Sequence, residues 1–146
     1  MLLKYLHILS AILLVGNVIV TGVWATIAWK DGGAARFATA ARAIIYTDIL
    51  FTFGASMLLV MTGSMRALTM GLPLFGTPWI KRAIVGLAIA TLLWLVVLIP
   101  AQVTMLGAGK KPEAEVGAAY KRWTLVGWLA VAPMLYSLWQ MVAKPE

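Results

Sequence analysis

The chain has no cysteine, a single histidine at His7, and little charge, with Asp, Glu, Lys and Arg making up 12% of its 146 residues. Without cysteine there is no disulfide, no thiolate metal site and no cysteine nucleophile. With one histidine, a bis-histidine iron site within one chain is excluded. No His/Cys/carboxylate cluster is available for a catalytic zinc. Soluble domains carry about 25% charged residues, roughly twice the share found here. What is abundant is apolar: 62% of residues are hydrophobic and the mean hydropathy is +0.93. Dissolved in water, a chain of this size would expose much of that surface, whereas lipid removes the penalty.

A hydrocarbon core about 30 Å thick takes roughly 20 apolar residues in a helix. Four runs pass that test: Tyr5 to Trp29, Ala43 to Met65, Ile80 to Leu106 and Trp123 to Val142. Lipid cannot satisfy an open strand edge, and these runs are too long for barrel strands. The expected fold is all-α, one domain of four transmembrane helices over residues 1–146. The first run is too long for a secretory signal and is read as a retained helix.

The connections differ in character. Lys30 to Arg42 holds Asp31, Gly32 and Gly33 and then AARFATAARA, which either lies along the interface or extends the second helix. Arg66 to Trp79 is apolar for a loop, and its Leu68, Met70, Leu72, Leu74 and Phe75 suggest folding back over the bundle end. GAGKKPEAEVG, from Gly107 to Gly117, reads as a solvated turn.

The chain carries twelve Lys and Arg against five Asp and Glu. The cations sit between apolar blocks, which points to lipid headgroups and orientation rather than nucleic acid. Four spans place both termini on one side. That side has Lys4, Arg66, Lys81, Arg82 and Lys144; the other has Lys30, Arg36, Arg42, Lys110, Lys111, Lys121 and Arg122. The cation excess predicts the termini outside, in the periplasm if the membrane is a bacterial inner membrane.

Tryptophan marks span ends: Trp24, Trp29, Trp79, Trp123 and Trp139 fall near predicted interfaces. Trp94 falls mid-span, where it packs the bundle or lines a cofactor. Gly16, Gly54, Gly86 with Ala90, and Gly127 offer small surfaces for close helix approach.

Polar side chains inside a span are the informative exceptions, because hydrocarbon penalises each unless it meets a partner. His7, Asn17, Asp48, Gln102 and Gln140 stand out. A neutral imidazole can ligate haem iron between membrane helices, or simply hydrogen-bond to a headgroup or carbonyl. Met57, Met61 and Met65 recur every four residues, so they share one face, and a thioether can complete a haem or simply pack. Arg66, Lys81 and Arg82 lie toward the same membrane face, where they can pair with haem propionates. One candidate cofactor set is His7 on the iron of haem b, with Met61, Met65, Arg66, Lys81 and Arg82 around it; core packing of the methionines and ordinary span-end cations are the alternative. Asp48 can relay protons, bind a cation, or pair with Arg42 or a lysine. Asn17 and Thr21 share a face suited to an interhelical hydrogen bond. No nucleophile elbow or triad is present.

At YLHILSAILLVGNVIVT, DILFTFGASMLLVMTGSM, GLPLFGTPW and LLWLVVLIPAQ the chain resembles a bacterial family of small integral membrane proteins of unknown function, which implies a four-helix membrane fold. More distantly, KYLHILSA is similar to the first helix of HemJ-type protoporphyrinogen oxidases and CopD-like membrane domains. That similarity implies haem at His7. PWIKRA is similar to the HemJ segment carrying a functional lysine, two residues out of register with Lys81, and the further histidines of HemJ are absent here. Three functions follow: a haem b protein in electron transfer or oxidation; an accessory subunit of a membrane complex, or a homo-oligomer; and a small transporter switched by Asp48.

Overall fold

The computed structural model describes residues 1–145, the side chains of Ala35 and Arg36 excepted, and among them only helices and their connections occur. Four helices are long and apolar enough to cross a membrane: α1 Leu2–Ala34, α2 Phe37–Thr69, α3 Pro78–Met105 and α4 Glu113–Ala143. Their most apolar windows have hydropathies of 1.4 to 2.6, yet only 17 to 28% of each window is buried inside the chain. Most apolar side chains therefore point outward, where only lipid can cover them. The protein is a membrane bundle of four transmembrane helices.

α1 and α2 form a hairpin with almost no loop. The reversal is made at Gly32 (φ −173°, ψ 22°) and Gly33 (φ 55°, ψ −151°), and the second conformation is open essentially to glycine alone. AARFATAARA thus belongs to the turn and the start of α2, not to a separate interfacial segment. Arg36, counted above among the cations, has its side chain outside the described residues. Phe37 is fully buried. It meets the Trp29 and Tyr120 rings edge-on at 5.3 and 5.4 Å, while those two stack at 4.6 Å, so three aromatic rings clamp the turn to α4. Gly33→Ala should cost about 1–3 kcal/mol from backbone strain, because the new Cβ also lies 2.9 Å from Glu113 Oε1. Thermal unfolding in detergent checks this; an unchanged midpoint would mean the turn is not held as described.

Two π-helical segments interrupt the helices, Asp48–Phe53 in α2 and Trp94–Leu98 in α3. The second has a local cause: Pro100 lacks an N–H and its ring crowds the carbonyl four residues back, so the turn before it widens. In α2 the amide of Asn17 reaches toward the Thr47 carbonyl at 3.5 Å, a side chain entering the backbone ladder.

α1 packs on α2 and α4, and α3 packs on α4. At the end holding the Gly32–Gly33 turn, a core of Phe37, Ile44, Leu98, Met105, Val116 and Tyr120 joins α2, α3 and α4. At the opposite end no Cα of Gly54–Thr69 lies within 8 Å of any in Pro78–Leu93. A second core of Leu14, Ala55, Ala90 and Met134 joins all four helices further along, and His7 lies beyond it, toward the chain termini.

Three expectations need correction. Leu68, Met70 and Phe75 are exposed while Leu72 and Leu74 are half-buried, so the second connection buries its apolar side chains only in part. The solvated turn stops at Pro112, since α4 already starts at Glu113 and buries Val116 completely. That early start carries Trp123 into the interior, at 6% exposure, so it is no interface anchor, while Trp29, half-buried close to the Gly32–Gly33 turn, joins the aromatic clamp. Trp24 and Trp139 stay exposed, and Lys144 lies 5.5 Å over the Trp79 ring.

Candidate functional site

The polar residues singled out in the spans segregate into two places. The first is built on Asp48, which opens the π segment of α2 and is buried. Its Oδ1 accepts hydrogen bonds from Asn17 Nδ2 of α1 at 3.1 Å and Thr52 Oγ1 at 2.8 Å. Its Oδ2 accepts from Gln102 Nε2 at 2.5 Å and Trp94 Nε1 at 3.4 Å, both on α3. Asn17 Nδ2 also donates to Thr52 Oγ1 at 3.0 Å. The expected interhelical hydrogen bond of Asn17 is there. The expected ion pair of Asp48 with Arg42 or a lysine is not: among the described residues, every group hydrogen-bonded to the carboxylate is neutral. Trp94 resolves as well, since its indole N–H faces the carboxylate.

Beside Asp48 lies a cavity of about 40 Å³. Thr21, Thr52 and Thr124 bring hydroxyls to it, and Trp94, Trp123 and Trp128 wall it. Trp123 Nε1 and Thr124 Oγ1 are buried with no hydrogen-bond partner. Gly22 lets α4 approach here, because a Cβ on it would stand 3.3 Å from the Trp128 ring.

The second place is His7, roughly 21 Å along α2 from Asp48 if measured to its partner Thr62. His7 Nδ1 lies 3.0 Å from the Leu59 carbonyl oxygen and 3.3 Å from Thr62 Oγ1. Thr62 spends its own proton on the Leu58 carbonyl at 2.6 Å. Both neighbours of Nδ1 are therefore acceptors, which fixes the proton on Nδ1 and leaves the Nε2 lone pair free. Gly63 makes room for the ring: a Cβ there would stand 2.8 Å from His7 Cε1. Gly63 carried no signal in the sequence.

The other expected site residues divide. Arg66 follows Leu59, Thr62 and Gly63 along the face of α2 that meets α1, and donates to Met70 Sδ at 3.6 Å. Lys81 and Arg82 border an open groove of about 450 Å³ with Phe75, Val85 and Tyr136; Arg82 also donates to the Pro145 carbonyl at 3.4 Å. The methionine stripe turns away. Met57, Met61 and Met65 are 51%, 56% and 50% exposed, and helical rotation puts them roughly opposite the face that holds His7. No methionine of this stripe is positioned to share a metal with His7.

Among the described residues, no group of three or more His, Cys, Asp or Glu side chains is placed to hold a metal ion. A family model described as "Predicted integral membrane protein (DUF2269)" matches residues 1–145. No curated protein and no solved structure matches.

Proposed function

The chain belongs to the predicted integral membrane proteins of the DUF2269 family, and for this bilayer-embedded member we propose haem b binding, with electron transfer or oxidation as its role. The observation that carries the proposal is the imidazole of His7. Its Nδ1 is committed to the Leu59 carbonyl and Thr62, the second-layer arrangement that orients a ligating histidine and raises the basicity of its other nitrogen. The similarity of KYLHILSA to haem-binding first helices points the same way.

A haem needs a slot between helices as well as a ligand. Beyond the core of Leu14, Ala55, Ala90 and Met134, no Cα of Gly54–Thr69 lies within 8 Å of Pro78–Leu93, which favours room for one beside His7. His7 Nε2 would hold the iron, and Arg66, Lys81 and Arg82 at that membrane face would pair with the propionates. The outward methionines drop out of the proposed ligand set. Bound haem supplies one-electron chemistry; the chain's own part is to hold the imidazole tautomer and exclude water. The cation excess on the opposite connections supports a placement of the termini and His7 on the periplasmic side of a bacterial inner membrane.

The test is the absorption spectrum of protein purified from membranes. A Soret band is expected, absent in His7→Ala and weakened in Gly63→Ala, whose methyl must displace the ring, while circular dichroism stays helical in both. Folded protein that remains colourless after incubation with haem would overturn the reading. A second reading, an accessory subunit, rests on α2 beyond Gly54: it packs mainly on α1 and turns its methionines outward, a face for a partner helix. Co-purification after gentle detergent extraction is its measurement.

A further inference from the structure

A buried carboxylate with no opposite charge is among the costliest groups that a membrane interior can hold. Asp48 is in that position, 7% exposed, with four donors and no cation touching it. The donors suit the anion. The uncompensated charge calls for a positive partner, and the cavity beside the carboxylate offers room for one.

We infer that this cavity is a binding site for one partly hydrated alkali-metal cation, with Asp48 as its charged partner. Three features of the lining favour such an occupant. Hydroxyl oxygens from Thr21, Thr52 and Thr124 are hard ligands of the kind these ions take. Indole rings of Trp94, Trp123 and Trp128 attract cations to their faces. Two of the lining residues, Trp123 and Thr124, have a buried polar atom, Nε1 and Oγ1, with no partner among the described residues. Thr124 Oγ1 would ligate the ion, and a water carried by the ion would accept the Trp123 N–H.

Size and charge narrow the class. A single water needs about 10–15 Å³ of such space, so about 40 Å³ admits an ion with one or two waters and excludes an organic cation. One carboxylate without further acid or imidazole suits a monovalent ion, not a divalent one. The site lies apart from His7 and does not depend on haem.

The full chain in lipid nanodiscs is unfolded thermally in sodium, potassium or choline chloride at one ionic strength, as wild type and as His7→Ala. The midpoint should rise with the logarithm of sodium or potassium concentration and not with choline, in both proteins. Thr124→Val and Trp123→Phe leave the four hydrogen bonds of Asp48 in place; they should raise the half-saturating concentration by about tenfold or more. Asp48→Asn should abolish the salt response. Equal midpoints in all three salts would mean that the cavity holds water only, and the inference fails. It fails equally if Thr124→Val and Trp123→Phe both keep the wild-type concentration dependence, a result that stands even if Asp48→Asn does not fold.

Discussion

Asp48→Ala is expected to cost the bundle about 3–5 kcal/mol, the range for removing one partner of a buried charged network. The truncation leaves the Asn17 and Gln102 amides, the Trp94 indole and the Thr52 hydroxyl facing a void. Each orphaned donor costs about 1–3 kcal/mol in a protein interior, although single hydrogen bonds in membranes average nearer 0.6 kcal/mol. Release of the buried charge offsets part of the sum, which is why the total stays below four full penalties. Asp48→Asn keeps one acceptor oxygen and should fall about halfway. Detergent-titrated unfolding of both variants measures the difference. A loss below about 1 kcal/mol for alanine would show that the node does not tie α1, α2 and α3 together.

Gly86→Leu should be comparably damaging for a different reason. The Cβ of any side chain at Gly86 would collide with Ser137 Oγ and stand 2.8 Å from the Pro133 carbonyl oxygen. Ser137 meanwhile donates to the Ala83 and Pro133 carbonyls at 2.9 and 2.8 Å, so it is committed to this crossing and the backbone behind it cannot give. Overpacking costs about 1–3 kcal/mol per inserted group, and leucine adds three carbons beyond the methyl that already clashes. Gly16→Ala is the control, since a Cβ there meets nothing within 4 Å. If both variants unfold at the same midpoint as wild type, α3 and α4 do not cross at Gly86.

The four helices were legible because hydrocarbon thickness demands a run length that few soluble segments reach. Their ends were not. Polar residues at an interface continue a helix as readily as they end it, so Glu113 to Arg122 read as turn plus flank although it forms the first turns of α4. That error also misplaced Trp123, which looks like an interfacial ring only if the helix begins beside it. Asp48, Asn17 and Gln102 each stood out as polar groups in apolar runs. Their convergence was illegible because it depends on two π segments, which rotate Asp48 and Trp94 relative to an ideal helix. The period of the methionines fixed a shared face but not its direction, and the structure turns that face outward. Of the glycines chosen for close approach, Gly86 serves that role, while Gly22, Gly63 and Gly117 fit against Trp128, His7 and Trp29 across helices that the sequence does not pair.

The tightness of the Gly32–Gly33 reversal dictates how sidedness can be measured. A reporter domain or protease site inserted there would break the aromatic clamp, so an ambiguous signal would report damage rather than orientation. Tags belong in the segments between Thr69 and Pro78 or between Met105 and Glu113, which face opposite sides and leave all four helices whole.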